Sequence, residues 1–253
     1  MKVDLNKLVF SDKLLYASLL LSLKPGETNI SSFELLRRDF TPTKYLAIEY
    51  LNQLCECGLI EVEDELLEPG EEWVSIDSNF RINIVAGHDD GLLANLLTSI
   101  RGEFCTDLNQ SKQIVKLALR QLLVGESIRY LSLLWLDKGL NLDSSVEPPK
   151  KLEQLVLRYS ALKSFSLIKQ TVERTPLSRS RMILLSKGSA ALLEMFSEIA
   201  IEVSNGEANQ SLIDEKFLSS LPKCAVSMII TEHCMNIEPK AYLTDSHYSS
   251  IIG

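Results

Sequence analysis

One short stretch of the 253-residue chain has the residue types of a metal site. Residues 87–91, GHDDG, place an imidazole beside two carboxylates, which are groups that bind divalent cations. Neighbouring polar residues between two glycines more often form a turn and a helix cap. We therefore predict that His88, Asp89 and Asp90 are structural.

Two other patterns could serve metal chemistry, and each is incomplete. Cys224, His233 and Cys234 lack a fourth ligand at a spacing that zinc sites use. The EPK sequence at residues 238–240 matches the carboxylate-x-lysine of metal-dependent nucleases, but its proline would interrupt the central strand that such sites need. The chain also lacks a glycine-rich phosphate loop and a nucleophile elbow. We predict a protein that is not an enzyme and uses no cofactor or metal.

Phosphate-binding groups collect in a basic segment, residues 150–190, which holds 9 Lys/Arg and 2 Asp/Glu. Residues 1–149 hold 14 and 23, and residues 191–253 hold 3 and 9. The sequence ERTPLSRSRM at residues 173–182 combines arginines with the hydroxyls of Thr175, Ser178 and Ser180 at a helix start, as phosphate sites do. The candidate nucleic-acid contacts are Arg158, Lys169, Arg174, Arg179, Arg181 and Lys187. The alternative is that these cations pair with the acidic wing, residues 61–77, or solvate a helix.

The first element of the chain is an unusually apolar helix. Residues 12–23 are apolar on almost every side, and the KPG sequence at residues 24–26 stops the helix. Such a helix must be buried in a core or against a partner.

The apolar run at residues 14–23 is too short to span a bilayer and has no signal-peptide features. Five cysteines, an odd number, fit a reducing compartment, so we expect a cytoplasmic protein without membrane contact.

Two more helices and a ribbon follow. Ser31 and Glu34 have capping-box spacing, which predicts a short helix to about Arg38. Thr41 and the proline after it open a third helix, which Gly58 closes. The sequences LIEVED and WVSIDS, separated by EPG at residues 68–70, alternate apolar with polar residues and predict a two-stranded ribbon. Three helices followed by a ribbon is the winged-helix order.

The remainder of the chain has helical periodicity. We predict a mainly α (α+β) protein in which a winged helix is followed by a larger all-helical region. The predicted helices are residues 92–101, 111–123, 127–138, 151–173, 178–203, 210–220 and 222–235. A polar stretch that meets a double proline, residues 143–149, is the expected break between subdomains. The predicted regions are a winged-helix domain at 1–85, a helical connector at 86–147 and a helical domain at 148–253.

The third helix and the ribbon are poorly suited to reading DNA. On a helical wheel the core side holds Ala47, Ile48, Leu51, Leu54 and Cys55. The outer side holds Tyr45, Glu49, Asn52, Gln53 and Glu56. That outer side lacks the arginine or lysine that base and phosphate contacts normally use. Residues 61–77 hold eight acidic residues and no basic one, so phosphate would repel the ribbon. We predict a winged helix that serves as a packing module.

The segments NKLVFSDKLLYASLLLSL, SSFELLRRDF and TPTKYLAIEYLNQLCECGLIEVEDELL resemble a known family. They are similar to the winged-helix accessory subunits, called middle components, of bacterial three-component ATPase systems such as Lamassu-type defence. The resemblance covers about the first 70 residues and rests on apolar spacing, a leucine-rich first helix and the CGLIE-like helix exit. It implies a non-catalytic adaptor in a DNA-sensing complex, with a coiled-coil ATPase related to the structural-maintenance-of-chromosomes proteins as partner.

Three functions follow as hypotheses. The first is a non-enzymatic accessory subunit that binds such an ATPase in anti-phage or anti-plasmid defence and contacts DNA, if at all, through residues 150–190. The second is a winged-helix transcriptional regulator, and the third is a metal-dependent nuclease effector. For the first, the candidate partner contacts are Tyr16, Leu20, Tyr45, Glu49 and Glu56, with Tyr16 and Leu20 expected as exposed members of the first helix.

Overall fold

The protein is described by a computed structural model over residues 7–63, 81–84, 90–106, 109–205 and 224–237. These residues are mostly helical with one small sheet, so the mainly α prediction is confirmed. The chain divides into two units. The first unit is Met1–Ala118 with Pro222–Pro239, and the second is Leu119–Leu221 with Lys240–Gly253.

Local capping signals place the helices of the first unit. The first six elements among its described residues are α1 (Phe10–Ser22), β1 (Asn29–Ser31), α2 (Ser32–Arg37), α3 (Lys44–Glu56), β2 (Ile60–Glu63) and β3 (Arg81–Ile84). The Ser31 hydroxyl accepts a hydrogen bond from the Glu34 amide at 3.2 Å, as predicted. Thr43, rather than Thr41, caps α3 by accepting from the Leu46 amide at 3.3 Å, so α3 begins two residues later than predicted. Gly58 has a φ of 65°, the left-handed conformation that ends a helix.

Within the part of the chain that the structure describes, the sheet has three antiparallel strands in the order β1-β3-β2. β3 lies between the others, with Ile82 opposite Ile30 of β1 and Val62 of β2. The predicted first strand of the ribbon is confirmed as β2. The predicted second strand, residues 73–78, lies outside the described residues, and most of the acidic ribbon lies there too. The sequence did not predict β1, because three residues are too few for alternation to be recognised.

Helices from distant parts of the chain cover α1. It packs against α3, against α4 (Asp90–Thr106), against α9 (Ala225–Met228) and against a π-helix (Ile229–Met235). The Ala225 amide donates to the Asp39 carbonyl at 2.8 Å, which ties α9 to the turn that follows α2. The core of the first unit is therefore completed by a segment far along the chain.

The described residues of the second unit form four helices, α5 (Gln110–Leu136), α6 (Lys150–Arg158), α7 (Ala161–Arg174) and α8 (Leu177–Asn205), the first of which begins in the first unit. Aromatic pairs join α5 to α7 and to α8. Tyr130 meets Phe165 edge-on with ring centroids 5.4 Å apart, and Trp135 meets Phe196 at 6.3 Å. The loop with the double proline connects α5 to α6.

Two helix boundaries in this region differ from the prediction. The helices predicted at 111–123 and 127–138 are one helix, α5, because residues 122–128 are all buried and packing holds them helical despite a glycine. The helix predicted at 151–173 is two, because Tyr159 and Ser160 are extended and let α6 pack against α7. The helix predicted at 210–220 lies outside the described residues.

Gly188 divides α8 into two segments. Its φ of 81° and ψ of −177° are not helical, and they belong to a region of backbone conformation that only glycine adopts readily. We call residues 177–187 the outer segment and residues 189–205 the inner segment. The inner segment holds Leu192, Phe196 and Ala200 in the core, each with 1% exposure or less.

Candidate functional site

The outer face of α3 is acidic. Ala47, Ile48, Leu51 and Leu54 are buried as the helical wheel predicted, and Tyr50 is buried as well. Of the residues predicted to face outward, Glu49 and Glu56 are exposed, and Tyr45, Asn52 and Gln53 are half-buried. The one cation of α3, Lys44, is half-buried at its first turn. A phosphate backbone approaching this face would meet two carboxylates first.

Gln53 has a structural role instead of an outward one. Its side-chain amide donates to Asp12 Oδ1 of α1 at 2.7 Å, so it is held against the first helix. Asp12 is 7% exposed, and a buried carboxylate of this kind needs such donors. The amide of Gln53 is therefore engaged with α1 and is a poor candidate for reading a base edge.

The expectation that Tyr16 and Leu20 are exposed on α1 is wrong. Their exposed fractions are 0% and 1%, because the helices around α1 enclose it. Burial raises the pKa of the Tyr16 hydroxyl well above its usual value, and that hydroxyl has no hydrogen-bond partner within the described residues. Only Leu21 of the large apolar residues in α1 reaches the surface, with 37% exposure. Tyr16 and Leu20 are core residues.

A partly buried ion pair anchors the start of α1. Lys13 is 4% exposed, and its ammonium group pairs with Glu103 and donates to Ser99 Oγ at 3.2 Å, both on α4. A buried ammonium without these partners would be strongly destabilising. The sequence showed the charge of Lys13 but not its partners, because the pair spans 90 positions.

Three thiols of the first unit, those of Cys55, Cys57 and Cys234, are poor nucleophiles and poor metal ligands. Burial, and then a hydrogen bond with Asp12, raise the pKa of Cys57 to about 12. Burial raises the pKa of Cys55 to about 11 and that of Cys234 to about 12. These thiols are protonated at neutral pH, and the thiolate is the reactive form.

The sequence patterns considered for metal chemistry are only partly within the described residues. Cys224 is buried and caps α9, its Sγ accepting from the Ser227 amide at 3.4 Å. No group of three or more His, Cys, Asp or Glu in the described ranges is placed to hold a metal ion. His88, Asp89 and the EPK sequence lie outside those ranges.

The candidate nucleic-acid contacts are spread over three helices. Lys169 is half-buried on α7, and the other five are exposed. Arg158 ends α6 and Arg174 ends α7. Because α7 rises by 1.5 Å per residue, it is roughly 20 Å long and separates the two arginines. Lys151, in the same basic segment, pairs with Glu198 at 3.3 Å. The segment is not one compact cluster of free cations.

The hydroxyl groups predicted for a phosphate site are mostly engaged elsewhere. Thr175 is 6% exposed and donates to the Thr171 carbonyl at 2.6 Å. Ser180 is 2% exposed and donates to the Pro176 carbonyl at 3.2 Å. Ser178 alone of the three is exposed. The turn between α7 and α8 therefore offers arginines without the predicted hydroxyl cradle.

The outer segment of α8 is the feature that the sequence did not predict. Ser180 is its only buried residue. Leu177, Met182 and Leu185 are exposed by 39%, 62% and 81%, which is unusual for large apolar side chains standing together on one short helix. Their exposure could not be found from composition, since the sequence around them resembles that of an ordinary core helix.

No protein-family model, curated protein or solved structure matches the chain. No helix in the described ranges is long and apolar enough to cross a bilayer. Two exposed surfaces therefore remain as candidates, the acidic face of α3 and the apolar and basic face of the outer segment.

Proposed function

We propose that this chain is a non-enzymatic accessory subunit of a DNA-associated assembly. In this proposal its first unit is a winged helix that binds a protein partner, a coiled-coil ATPase related to the structural-maintenance-of-chromosomes proteins, in anti-phage or anti-plasmid defence. The element order α1-β1-α2-α3-β2-β3 and the sheet order β1-β3-β2 support the winged helix. In that arrangement α3 takes the position of a recognition helix.

The observation that carries the proposal is the chemistry of the α3 surface. Its exposed residues Glu49 and Glu56 would repel the phosphates that a recognition helix must approach. The same carboxylates would attract a basic protein surface and would raise the rate of association with it. Tyr45 adds a half-buried aromatic ring to the same face, and aromatic residues are enriched in protein interfaces.

The proposal is tested by purifying the tagged full-length chain from its native host, with the bound proteins identified by mass spectrometry. We expect a coiled-coil ATPase in stoichiometric amount. The double variant Glu49→Lys/Glu56→Lys should no longer co-purify with the ATPase, because the charge of the α3 surface is reversed. The control variant Glu194→Lys/Glu202→Lys changes two exposed glutamates of α8 by the same charge and should retain it.

A selection of duplexes from a random-sequence pool by the full-length chain tests the regulator hypothesis. We expect no sequence to be enriched. Enrichment of one sequence that the α3 double variant no longer binds would replace the adaptor proposal with the regulator. Cleavage of the pool that requires Mg²⁺ or Mn²⁺ would replace it with the nuclease.

A further inference from the structure

The outer segment of α8 presents an organised face. Ser178, Met182 and Leu185 follow one another at the four- and three-residue spacing of a coiled-coil seam, and all three are exposed. On the opposite side of the helix Ser180 is buried, and Ile183 and Leu184 are half-buried. The segment therefore lies on the second unit by one side and leaves a stripe with two apolar residues in solvent.

Arginines border this stripe on both edges. Arg179 and Arg181 are two positions apart and so project to different sides of the helix, at the positions that flank a coiled-coil seam. Both are exposed, and neither is in an ion pair with any residue that the structure describes. Arg181 lies beside the turn that follows α5, where a Cβ on Gly139 would be 4.0 Å from its Nη2. Apolar residues with a cationic border form the pattern of a protein interface, with an apolar centre and a charged rim.

We propose that the outer segment is a docking surface for an acidic amphipathic helix of a partner protein. Leucine-type residues of that helix would cover Met182 and Leu185, and glutamates on its flanks would pair with Arg179 and Arg181. The inference deepens the proposed function, because it supplies a second contact between this subunit and a coiled-coil partner, and it rests on the chain being part of an assembly.

The same observations disfavour the other occupants of this surface. Duplex DNA would place phosphates against Met182 and Leu185, and the buried hydroxyls of Thr175 and Ser180 cannot assist. A second copy of this segment would set arginines against arginines. A lipid surface is favoured by a face with aromatic residues, and the outer segment has none. Each of these occupants is an outcome of the test below.

The test uses the full-length chain and two labelled synthetic peptides. Both have leucine at the seam positions of a coiled coil, and one has glutamate and the other glutamine at the flanking positions. Fluorescence anisotropy should show that the glutamate peptide binds roughly tenfold more tightly at low salt, with the difference shrinking as salt screens the ion pairs. Equal binding of the two peptides, or no binding of either, would overturn the proposal.

Variants assign the binding to the outer segment. Arg179→Glu/Arg181→Glu should remove the preference for the glutamate peptide, whereas Lys150→Glu/Lys163→Glu, which changes two exposed lysines of α6 and α7 by the same charge, should keep it. Met182→Asp/Leu185→Asp should abolish binding of both peptides. Leu117→Asp, at a site with 61% exposure on α5, should not. Circular dichroism melting curves that match the wild type establish that each variant is folded.

The remaining outcomes separate the two proposals and the rival occupants. The α3 double variant Glu49→Lys/Glu56→Lys should bind the glutamate peptide like the wild type, so a failure of peptide binding leaves the α3 interface standing. Loss of duplex-DNA binding in Arg179→Glu/Arg181→Glu, without any peptide preference, would make the outer segment a nucleic-acid contact. Binding to phosphatidylserine vesicles, or salt-dependent self-association lost in that variant, would likewise overturn the proposal.

Discussion

Helix α1 and the outer segment of α8 are composed alike and are buried differently. The first reads FSDKLLYASLLLS and the second LSRSRMILLSK, so both mix leucines with serines and cations. All residues of α1 except Ser11 and Leu21 are buried, whereas the outer segment buries Ser180 alone. The difference comes from neighbours: elements from three parts of the chain close around α1, and Gly188 turns the outer segment away from the direction of the inner one. Apolar composition shows that the side chains of a helix need to be buried. Only the packing shows whether other parts of the same chain bury them.

Replacing one leucine by alanine in each helix should give the largest difference in the free energy of unfolding. Leu20→Ala should lower the free energy of unfolding by roughly 2–5 kcal/mol, because it leaves a cavity in a closed core. Leu185→Ala should change it by about 0.5 kcal/mol or less, because that side chain is already in water. Urea unfolding of the full-length chain measures both. A large loss at Leu185 would mean that this side chain is core and would remove the docking surface.

The ion pair of α1 should contribute more to stability than an exposed ion pair between α6 and the inner segment of α8. Glu103→Ala leaves the ammonium of Lys13 buried without its carboxylate and should cost roughly 1–3 kcal/mol. Glu198→Ala removes the partner of Lys151, where the side chains are 63% and 53% exposed, and should cost about 0–1 kcal/mol. Equal losses of unfolding free energy in the two variants, measured by urea unfolding, would show that the Lys13–Glu103 pair is hydrated in solution. That result would contradict the burial of Lys13.

Gly188→Ala should lower the free energy of unfolding by a similar or smaller amount, and it should also weaken peptide binding. Alanine is strained at a φ of 81°, by about 1–3 kcal/mol, unless the backbone changes. Gly102→Ala is the matched control, since nothing lies within 4 Å of its added Cβ and alanine favours the helix by about 0.5–1 kcal/mol. The Gly188 variant should also weaken binding of the glutamate peptide, as a straightened α8 no longer presents the stripe. If the Gly188→Ala variant has the stability and the peptide affinity of the wild type, the kink is not needed for the docking surface.

Features set by neighbouring residues could be predicted from the sequence, and features set by distant ones could not. The Ser31 cap of α2, the Gly58 exit of α3 and the wheel of α3 all follow from residues a few positions apart. The exposure expected for Tyr16 was wrong because α1 is enclosed by other helices, including α9 and the π-helix more than 200 positions away. The acidic character of α3 was predicted because surface charge needs no packing information. The stripe on the outer segment was missed because a leucine in solvent and a leucine in a core have the same spacing.

The discontinuity of the first unit has a consequence for its biosynthesis. The ribosome completes α1 early, but α9 and the π-helix that cover it follow only after the helices of the second unit. At roughly 5–20 residues per second, the roughly 200 residues between the end of α1 and the start of α9 take about 10–40 seconds to make. During that interval the apolar side of α1 that awaits α9 lies open on the nascent chain. A chaperone that binds leucine-rich helices would bind this side of α1. A pause in translation after residue 118 would lengthen the time for which α1 is uncovered, and it would give the rest of the first unit time to form.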